Sequence, residues 1–555
     1  MKVSDYVIKF FECQGVEQVF CVSGGAAAHL LESTRTSSMN TIFNYHEQSC
    51  AMAADGYARI SKKPAIVLVT NGPGSTNTIT GVLGAWQDGI PMIILSGQVP
   101  RNQTLASEGR PLRQLGVQEC NIIKMVEHCT NYAVQLTSDI SQTLSRAWKM
   151  ATTGRMGPVW IDIPIDIQGQ DIDAVPRFAA KLAVARAVRP IDQEILDEFA
   201  RAKKPLIIAG NGIHLACAED AFVKLVERTR APVICTWNAN DLLEWEHPLY
   251  VGNFGVFGER SGNLAVQNAD CILVLASRLS IPCTGYDASK FAPLAKIIMV
   301  DIDENEVFKH TMKSNFQHIG DVKDFIDQFN VTVDVPQWLA QVGTWKNTLS
   351  VFNEPHTRVS GFVNSYDMME ELGKLVNQND IVVTDMGTSF TCTMQALRNH
   401  GNRLFTSSGL CSMGFGLPGA IGAWSADKSR RVICIAGDGG FQMNIQELQT
   451  VVQYRIPLKI IILNNGGYLA ISLMQDNLFK NRFGADISSP NFKAIAQAYG
   501  IQTFENLSDC ISSRESGIVE MNMVRNQLLI PRVMSYKDPV TQQIKSGTLE
   551  NMFPT

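Results

Sequence analysis

The sequence predicts an α/β protein with three doubly wound parallel-sheet domains. Short apolar runs rich in β-branched residues recur along the 555 residues, and segments with helical periodicity separate them. Nearly continuous apolar runs fit strands that are covered on both faces, and their alternation with helices predicts right-handed βαβ units. The chain is also too long for one core, since a single core rarely grows beyond about 300 residues.

The apolar runs give the order of the predicted elements. The clearest strand candidates are 65–70, 92–96, 158–163, 205–209, 271–276, 297–301, 381–385, 432–436 and 460–464. Two stretches lack the pattern, 169–190 and 330–361, and we predict that both are linkers. The predicted domains are then 1–168, 185–330 and 360–530. They are followed by a polar tail at 531–555, which is either a lid or a mobile end.

Composition and charge exclude several classes of protein. Apolar residues make up 45% of the chain and aromatic residues 8%, unlike a disordered or collagen-like chain. The formal charge is -5 and no Lys/Arg-rich block is present, so the sequence predicts no positively charged surface for nucleic acid. No run reaches the roughly 18–20 apolar residues of a membrane span, and the N-terminus lacks a signal-peptide core. Thirteen scattered cysteines without a CxxC pair favour reduced thiols and a cytoplasmic location.

Two Gly-rich turns follow successive strand candidates in the C-terminal third. They are Gly437-Asp438-Gly439-Gly440 and Asn464-Asn465-Gly466-Gly467. Such a turn at the end of a buried strand lets backbone N–H groups approach a phosphate, and Asp and Asn oxygens suit Mg²⁺. The interval between the turns leaves room for a crossover helix at 441–454. The pair of turns therefore predicts a site for Mg²⁺ and a diphosphate.

The N-terminal third supplies a candidate carboxylate. Glu47 lies in an Asn-Tyr-His-Glu-Gln stretch at 44–48, ahead of Ala-Asp-Gly-Tyr-Ala-Arg at 54–59. A Gly-Pro-Gly turn at 72–74, with Asn77 close behind, follows a strand candidate. By composition alone Glu47 would be an ordinary surface carboxylate at a helix start.

Taken in this order, these motifs resemble those of the thiamine-diphosphate enzymes. Stretches such as 87–92, 154–159, 413–418 and 441–448 are similar to the acetolactate synthase-like branch of that family. The resemblance implies a pyrimidine-binding domain, a central domain and a diphosphate-binding domain. It implies pyruvate and an acceptor carbonyl as substrates, and a homodimer or homotetramer with active sites between subunits. Neither nucleic acid nor a membrane is expected as a partner.

The resemblance also assigns roles to residues. Glu47 would act on N1′ of the aminopyrimidine, Met413 would support the bent cofactor, and Gln118 would be a third catalytic residue. The expected Mg²⁺ ligands are Asp438, Asn465 and the Gly467 carbonyl. The residues expected to line the thiamine diphosphate site are Gly24, Gly25, Asn77, Gly387, Thr388, Cys411, Met413, Gly437, Asp438, Gly439, Gly440 and Asn465.

The central third resembles the FAD-binding domain of acetolactate synthases. A Gly-Asn-Gly turn follows the strand candidate at 205–209, which suits the approach of a dinucleotide. In this branch FAD would be structural and not redox-active, although related domains bind another nucleotide or nothing. The residues expected to contact FAD are Gly210, Asn211, Gly212, Arg278, Asp301, Asp321 and Val322.

Several departures from the acetolactate synthase pattern concern the acceptor. Residues 279–282 replace an Asp-Asp-Arg run, Val117 replaces a phenylalanine, and Met474 replaces a tryptophan that shapes the acceptor pocket. Valine and methionine in place of rigid aromatic residues predict a pocket of different shape. The acceptor is therefore either pyruvate or a keto-sugar of polysaccharide biosynthesis. A pyruvate oxidase-like flavoenzyme is a further alternative.

Overall fold

The structure is a computed structural model that describes residues 1–172 and 188–554. It contains three six-stranded sheets in chain order, and the strands within each of them pair in parallel. The predicted α/β class with three parallel sheets is confirmed. Much of the first predicted linker, at 173–187, lies outside the described residues. Across the described ranges, no helix is long and apolar enough to cross a membrane.

The first sheet contains β1 Gln18–Cys21, β2 Asn40–Phe43, β3 Ala65–Val69, β4 Met92–Gln98, β5 Tyr132–Gln135 and β6 Pro158–Pro164. Its order is β2-β1-β3-β4-β6-β5. The helices of this unit are Val3–Gln14, Ala28–Arg35, Glu47–Ser61, Pro73–Asn77, Ile79–Asp88, Leu105–Glu108, Ile122–Val126, Ile140–Thr152 and Ile165–Gln168. Strands β3, β4 and β6 are buried along their whole length, as their apolar runs predict.

The second sheet contains β7 Pro205–Ala209, β8 Val233–Cys235, β9 Tyr250–Asn253, β10 Cys271–Leu275, β11 Lys296–Asp301 and β12 Phe316–Ile319. Its order is β12-β11-β10-β7-β8-β9. Counted within the sheet this is 3-2-1-4-5-6, the order of dinucleotide-binding folds, with the winding reversed between β7 and β10. Its helices are Gln193–Arg201, Gly212–Leu215, Glu219–Thr229, Arg260–Asn268, Ile281–Thr284, Glu304–Val307 and Val322–Gln328.

The second predicted linker contains a helix, Pro336–Thr348. Trp338 and Val342 pack into the central core, and Trp338 Nε1 donates to the Pro205 carbonyl at 2.9 Å. Pro336 begins the helix, a position where its missing N–H costs nothing. The segment therefore belongs to the central unit.

The third sheet contains β13 Asp380–Thr384, β14 Arg403–Phe405, β15 Arg431–Gly437, β16 Lys459–Asn464, β17 Gln502–Phe504 and β18 Gly517–Asn522. Its order, β14-β13-β15-β16-β18-β17, repeats that of the first sheet. Its helices are Ser365–Gly373, Thr388–Ala396, Gly416–Ala426, Asp438–Met443, Leu448–Gln453, Leu469–Leu478, Phe492–Ala498 and Leu507–Ser512. The predicted crossover helix at 441–454 is interrupted by a 3₁₀ turn at Ile445–Glu447.

The C-terminal tail forms two short antiparallel ribbons. Strands β19 Arg532–Val533 and β22 Met552–Phe553 make one ribbon, and β20 Ser535–Lys537 and β21 Ile544–Ser546 make the other. Val533, Leu549 and Met552 belong to the core of the central unit. Asn263 Nδ2 also donates to the Leu549 carbonyl at 3.0 Å. The tail thus packs on the central unit, in contrast to the lid or mobile end predicted from its composition.

Helices Glu47–Ser61 and Gly416–Ala426 join the first and third units through backbone contact. A Cβ atom on Gly422 would lie 1.9 Å from the Ala53 carbonyl oxygen, and one on Gly56 would lie 2.2 Å from that of Gly419. Only glycine allows two backbones to approach this closely. This contact fixes the start of the Glu47 helix relative to the third sheet.

Candidate active site

Asp438 begins a helix directly after β15, and its side chain is buried. Its Oδ2 accepts a hydrogen bond from Ser489 Oγ at 2.5 Å, whereas Oδ1 has no partner among the described residues. Burial raises the pKa of this carboxyl group. A buried oxygen without a partner is costly, and a cation would satisfy it. The surroundings of Asp438 therefore fit a divalent metal ion.

Asn465 and Gly467 lie at the same edge of the third sheet as Asp438. Strand β15 pairs with β16 so that Gly437 faces Leu463, which brings the two Gly-rich turns side by side. A Cβ atom on Gly467 would lie 2.5 Å from the Ala485 carbonyl oxygen, so glycine is required there.

The described residues contain no cluster of three or more His, Cys, Asp or Glu side chains that could hold a metal. A cation at Asp438 would therefore rely on one carboxylate and on neutral oxygens. The Asn465 side chain, the Gly467 carbonyl and phosphate oxygens of a ligand are of that type, and such a ligand set suits Mg²⁺.

The glycines around this edge differ in the space beside them. Gly387 has a φ of 84° and precedes helix Thr388–Ala396, and a Cβ atom there or on Gly437 would meet nothing within 4 Å. A Cβ atom on Gly439 would instead lie 2.5 Å from the Tyr468 ring, and one on Gly440 would lie 3.1 Å from the Asp385 carboxyl group. The open positions leave backbone N–H groups accessible to a phosphate.

Asp385 organises the segment that carries Cys411 and Met413. Its buried carboxylate accepts backbone N–H bonds from Met386 at 2.6 Å, Gly414 at 3.0 Å and Gly416 at 3.2 Å. Burial raises its pKa to about 6. Sequence reasoning noted Asp385 only as a strand end, although an aspartate closing an apolar strand was a visible signal.

Cys411 and Met413 lie on a segment with unusual backbone geometry. Cys411 has a φ of 57°, in the left-handed region, and its N–H donates to the Ser407 carbonyl at 3.1 Å. Met413 is half-buried and packs against the core of the third unit. The catalytic and cofactor-binding roles predicted for Cys411 and Met413 stay predictions.

Glu47 lies at the start of its helix and is half-buried. Its Oε2 accepts from Asn77 Nδ2 at 2.9 Å, so the structure brings these two predicted residues together. Gln118 lies beside the same turn, because its carbonyl oxygen would be 2.3 Å from a Cβ atom on Gly72. Gly24 packs against Thr70, where this turn begins, and Gly25 has open space beside it.

Glu447 joins the Glu47 region to the third unit, and sequence reasoning missed it. Its fully buried carboxylate accepts from Asn44 Nδ2 at 2.8 Å, the Tyr45 N–H at 3.0 Å and Thr450 Oγ1 at 2.6 Å. Within the described residues, however, neither a hydrogen bond nor an ion pair joins Glu47 to Asp438.

A second connection runs through Asn444. Ser49 Oγ donates to Asn444 Oδ1 at 3.0 Å, and Asn444 Nδ2 donates to the Gly414 carbonyl at 2.8 Å. The Glu47 helix is therefore linked to the segment that carries Cys411 and Met413.

A cleft, called the central cleft below, opens at the carboxyl ends of the second sheet's strands. Asn211 follows β7 and Arg278 follows β10, so the cleft lies at the point where the winding reverses. Ligands of doubly wound folds bind at this point. Six of the seven residues predicted to contact FAD line the cleft: Asn211, Gly212, Arg278, Asp301, Asp321 and Val322. Gly210 does not, because it packs against Ala276, whose carbonyl oxygen would lie 2.1 Å from a Cβ atom there.

Three charged side chains of the central cleft, Arg155, Asp301 and Asp321, already have partners. Arg155, from the first unit, forms ion pairs with Asp303 and Glu306. Asp301 Oδ1 accepts from the Asp303 N–H at 3.0 Å, and burial raises the pKa of Asp301. The Asp321 side chain accepts from the Lys323 N–H at 2.9 Å. These three side chains therefore already use much of their hydrogen-bonding capacity within the protein.

Comparisons with known proteins agree with this geometry. Residues 1–125 match the thiamine pyrophosphate enzyme N-terminal TPP binding domain, 193–329 the central domain, and 385–519 the C-terminal TPP binding domain.

Similar proteins cover nearly the whole chain. The probable acetolactate synthase large subunit of Methanococcus aeolicus is 32% identical over 90% of this chain and 87% of its own length. The acetolactate synthase isozyme 1 large subunit of Escherichia coli is 32% identical over 90% and 88%. The acetolactate synthase large subunit of Lactococcus lactis is 30% identical over 96% and 94%. The chain therefore belongs to the thiamine pyrophosphate enzymes, in the branch that resembles the acetolactate synthase large subunits.

Proposed function

We propose that this enzyme is a thiamine-diphosphate- and Mg²⁺-dependent carboligase that decarboxylates pyruvate and transfers the two-carbon unit to an acceptor carbonyl. The observation that carries the proposal is the buried Oδ1 of Asp438, which lies beside Asn465 and Gly467 and has no partner in the part of the chain that the structure describes. It lies in a unit that matches a C-terminal TPP binding domain, and acetolactate synthase large subunits are among the chain's relatives.

Residues at this edge of the third sheet would bind both the metal ion and the diphosphate. Asp438, Asn465 and the Gly467 carbonyl would hold Mg²⁺, and the backbone at Gly387 and Thr388 would receive the diphosphate. Thiamine diphosphate, when bound, supplies the electron sink that allows a 2-oxo acid to lose CO₂.

The chain's own side chains would manage protons and orientation. Glu47 would hold a proton at N1′ of the aminopyrimidine, and Asn77, which donates to Glu47 Oε2, would orient that carboxylate. Met413 would support the bent cofactor, and Cys411 would offer its carbonyl to the 4′-amino group. Gln118 would contact the substrate from the turn at Gly72.

The proposal includes a homodimer or homotetramer with active sites shared between subunits. Exposed apolar side chains support it, since Phe483 is 91% exposed and Val117 is 80% exposed. Size-exclusion chromatography tests this part, because a catalytically competent monomer would contradict it.

The proposed acceptor is pyruvate or a keto-sugar. The names of the relatives favour acetolactate as product, whereas Val117 and Met474, in place of aromatic residues, favour a differently shaped acceptor. Incubation with pyruvate, thiamine diphosphate and Mg²⁺, with and without keto-sugar acceptors, followed by NMR identification of the product, separates the two. Oxygen consumption in the same assay would reveal pyruvate oxidase-like chemistry. A lack of pyruvate consumption would refute the proposed function.

We propose FAD as the ligand of the central cleft, in a structural role. The 3-2-1-4-5-6 strand order, the position of the cleft where the winding reverses and the six lining residues support a dinucleotide. Flavin absorbance in the purified protein, or its restoration by added FAD, tests the assignment. A cytoplasmic location completes the proposal, and thirteen unpaired cysteines support it.

A further inference from the structure

The central cleft and the segment that carries Cys411 and Met413 share a wall. Asp88, Asn238 and Ser408 all line the cleft, and each comes from a different one of the three sheet units. Ser408 begins the stretch that leads to Cys411 and Met413, which we call the 408–414 segment. Any ligand of the cleft would therefore lie next to the start of this segment.

Asn238 and Asp88 hold that start by hydrogen bonds. Asn238 Oδ1 accepts from the Thr406 N–H at 3.1 Å, and Nδ2 donates to the Thr406 carbonyl at 2.9 Å and to Ser408 Oγ at 3.0 Å. Asp88 accepts from the Ser408 N–H at 2.9 Å and from Ser408 Oγ at 3.1 Å. Because Asn238 and Thr406 are buried, water does not replace these bonds readily.

The far end of the 408–414 segment is held by Asp385, which accepts from the Gly414 N–H. Between the two ends, Cys411 adopts a left-handed backbone that is unfavourable for a residue with a side chain. Such a conformation persists when the surrounding structure determines it. The position of the Cys411 carbonyl therefore depends on both ends of the segment.

Trp237, which precedes Asn238, contacts the helix that begins at the expected diphosphate position. Trp237 lines the cleft, and its ring meets Phe390 edge-on with centroids 4.6 Å apart. Phe390 belongs to helix Thr388–Ala396, which begins at the expected diphosphate position. One turn of the central unit thus contacts both the helix that would receive the diphosphate and the segment beneath the cofactor.

We propose that Asn238 is a positioning residue that couples occupancy of the central cleft to thiamine diphosphate binding. A nucleotide in the cleft packs against the 237–238 turn and Ser408, which restrains the 408–414 segment in its binding conformation. Coupling between two sites is reciprocal, so thiamine diphosphate also tightens nucleotide binding. The inference rests on the proposed function, because it assumes thiamine diphosphate at the Asp438 edge and a nucleotide in the cleft.

The test compares wild type with Asn238→Ala by calorimetric titration of thiamine diphosphate, at fixed Mg²⁺, into full-length protein freed of cofactors. The titrations are made with and without saturating FAD. In wild type, FAD tightens thiamine diphosphate binding about fivefold or more. In N238A, thiamine diphosphate binds about fivefold more weakly without FAD, and the effect of FAD falls below about twofold.

Asn399→Ala is the matched control. Asn399 is also buried and also joins the third unit to the central one, since its Nδ2 donates to the Leu243 carbonyl at 2.9 Å, but it lies outside the 408–414 segment. N399A loses a comparable contact yet keeps the effect of FAD. Ser408→Ala, which removes the hydroxyl group between Asn238 and Asp88, is a milder second test and reduces the effect of FAD in the same direction.

Two results would overturn the coupling: FAD that binds wild type without changing its thiamine diphosphate affinity, or an N238A protein that keeps both affinity and coupling. A wild-type protein that binds no FAD would overturn the nucleotide part of the proposed function, and the coupling with it. The thiamine diphosphate affinity of N238A would then still decide whether Asn238 positions the segment.

Discussion

The edge of the third sheet around Asp438 and the central cleft both lie at carboxyl ends of parallel strands, but their polar groups differ. Asp438 keeps a buried oxygen without a partner among residues 1–172 and 188–554, whereas Asp301, Asp321 and Arg155 in the cleft already have partners. The first arrangement suits a small cation that must fill one position. The second suits a large ligand held by shape and many modest contacts. Single substitutions should therefore weaken the first site more than the second.

The largest effect is expected at Glu47, which carries the proposed acid–base chemistry. Glu47→Gln should lower the turnover number at least about 100-fold, because amide groups do not transfer the proton. Steady-state kinetics with pyruvate measures this, while thiamine diphosphate affinity and thermal unfolding stay close to wild type. Glu32→Gln changes an exposed glutamate and serves as control. Near-normal turnover in E47Q would refute its role.

The second-largest effect is expected for substitution of Asp438, in the Mg²⁺ requirement of the enzyme. Asp438→Asn keeps an oxygen ligand but removes the charge, so the Mg²⁺ concentration for half-maximal activity should rise about tenfold or more. A Mg²⁺ titration of activity measures it, with Asp509→Asn, an exposed aspartate of the same unit, as control. An unchanged Mg²⁺ requirement would exclude Asp438 as a ligand.

A smaller effect is expected in the central cleft. Arg278→Met should weaken FAD binding about fivefold to tenfold, because one charged hydrogen bond among many contacts is lost. Flavin fluorescence titration measures the dissociation constant, and Arg201→Met on an exposed helix position is the control. A loss of FAD affinity of about 1000-fold would contradict the view that the binding energy is distributed over many modest contacts.

The smallest effect on turnover, about twofold, is expected for Asp385→Asn, because the asparagine oxygen can keep the Met386 and Gly414 bonds while only the Gly416 bond is lost. Its effect on stability should depend on pH. The folded-state pKa of Asp385 is raised to about 6, above the ordinary value of 3.8. Between about pH 4 and 6 the folded chain keeps a proton that the unfolded chain has lost, so this group's contribution to stability falls as pH rises through that window.

Urea unfolding of wild type and D385N between pH 4 and 8 measures this dependence. The stability of D385N relative to wild type should increase up to about pH 6 and then level off. A difference that is constant across the range would mean that Asp385 titrates normally.

The features that could be predicted from the sequence are those encoded by contiguous residues. The apolar strand runs and the two Gly-rich turns are contiguous, so both the α/β class and the residues around Asp438 could be read directly. The roles of Asp385 and Glu447 were missed because the groups that donate to them lie on other elements, so that an aspartate at a strand end is visible in the sequence but its hydrogen bonds are not. Helix Pro336–Thr348 was missed because its packing face comprises few apolar residues behind a proline.

The contact between Ala53 and Gly422 has a consequence for redesign of the enzyme. Because main-chain atoms meet there, the distance between the two helices does not adapt to a larger side chain. Exchanging either terminal unit with that of a relative would therefore succeed only where the donor keeps small residues at the same positions. A single added methyl group at Gly422 would push the Glu47 helix away from helix Gly416–Ala426 without altering any of the predicted site residues.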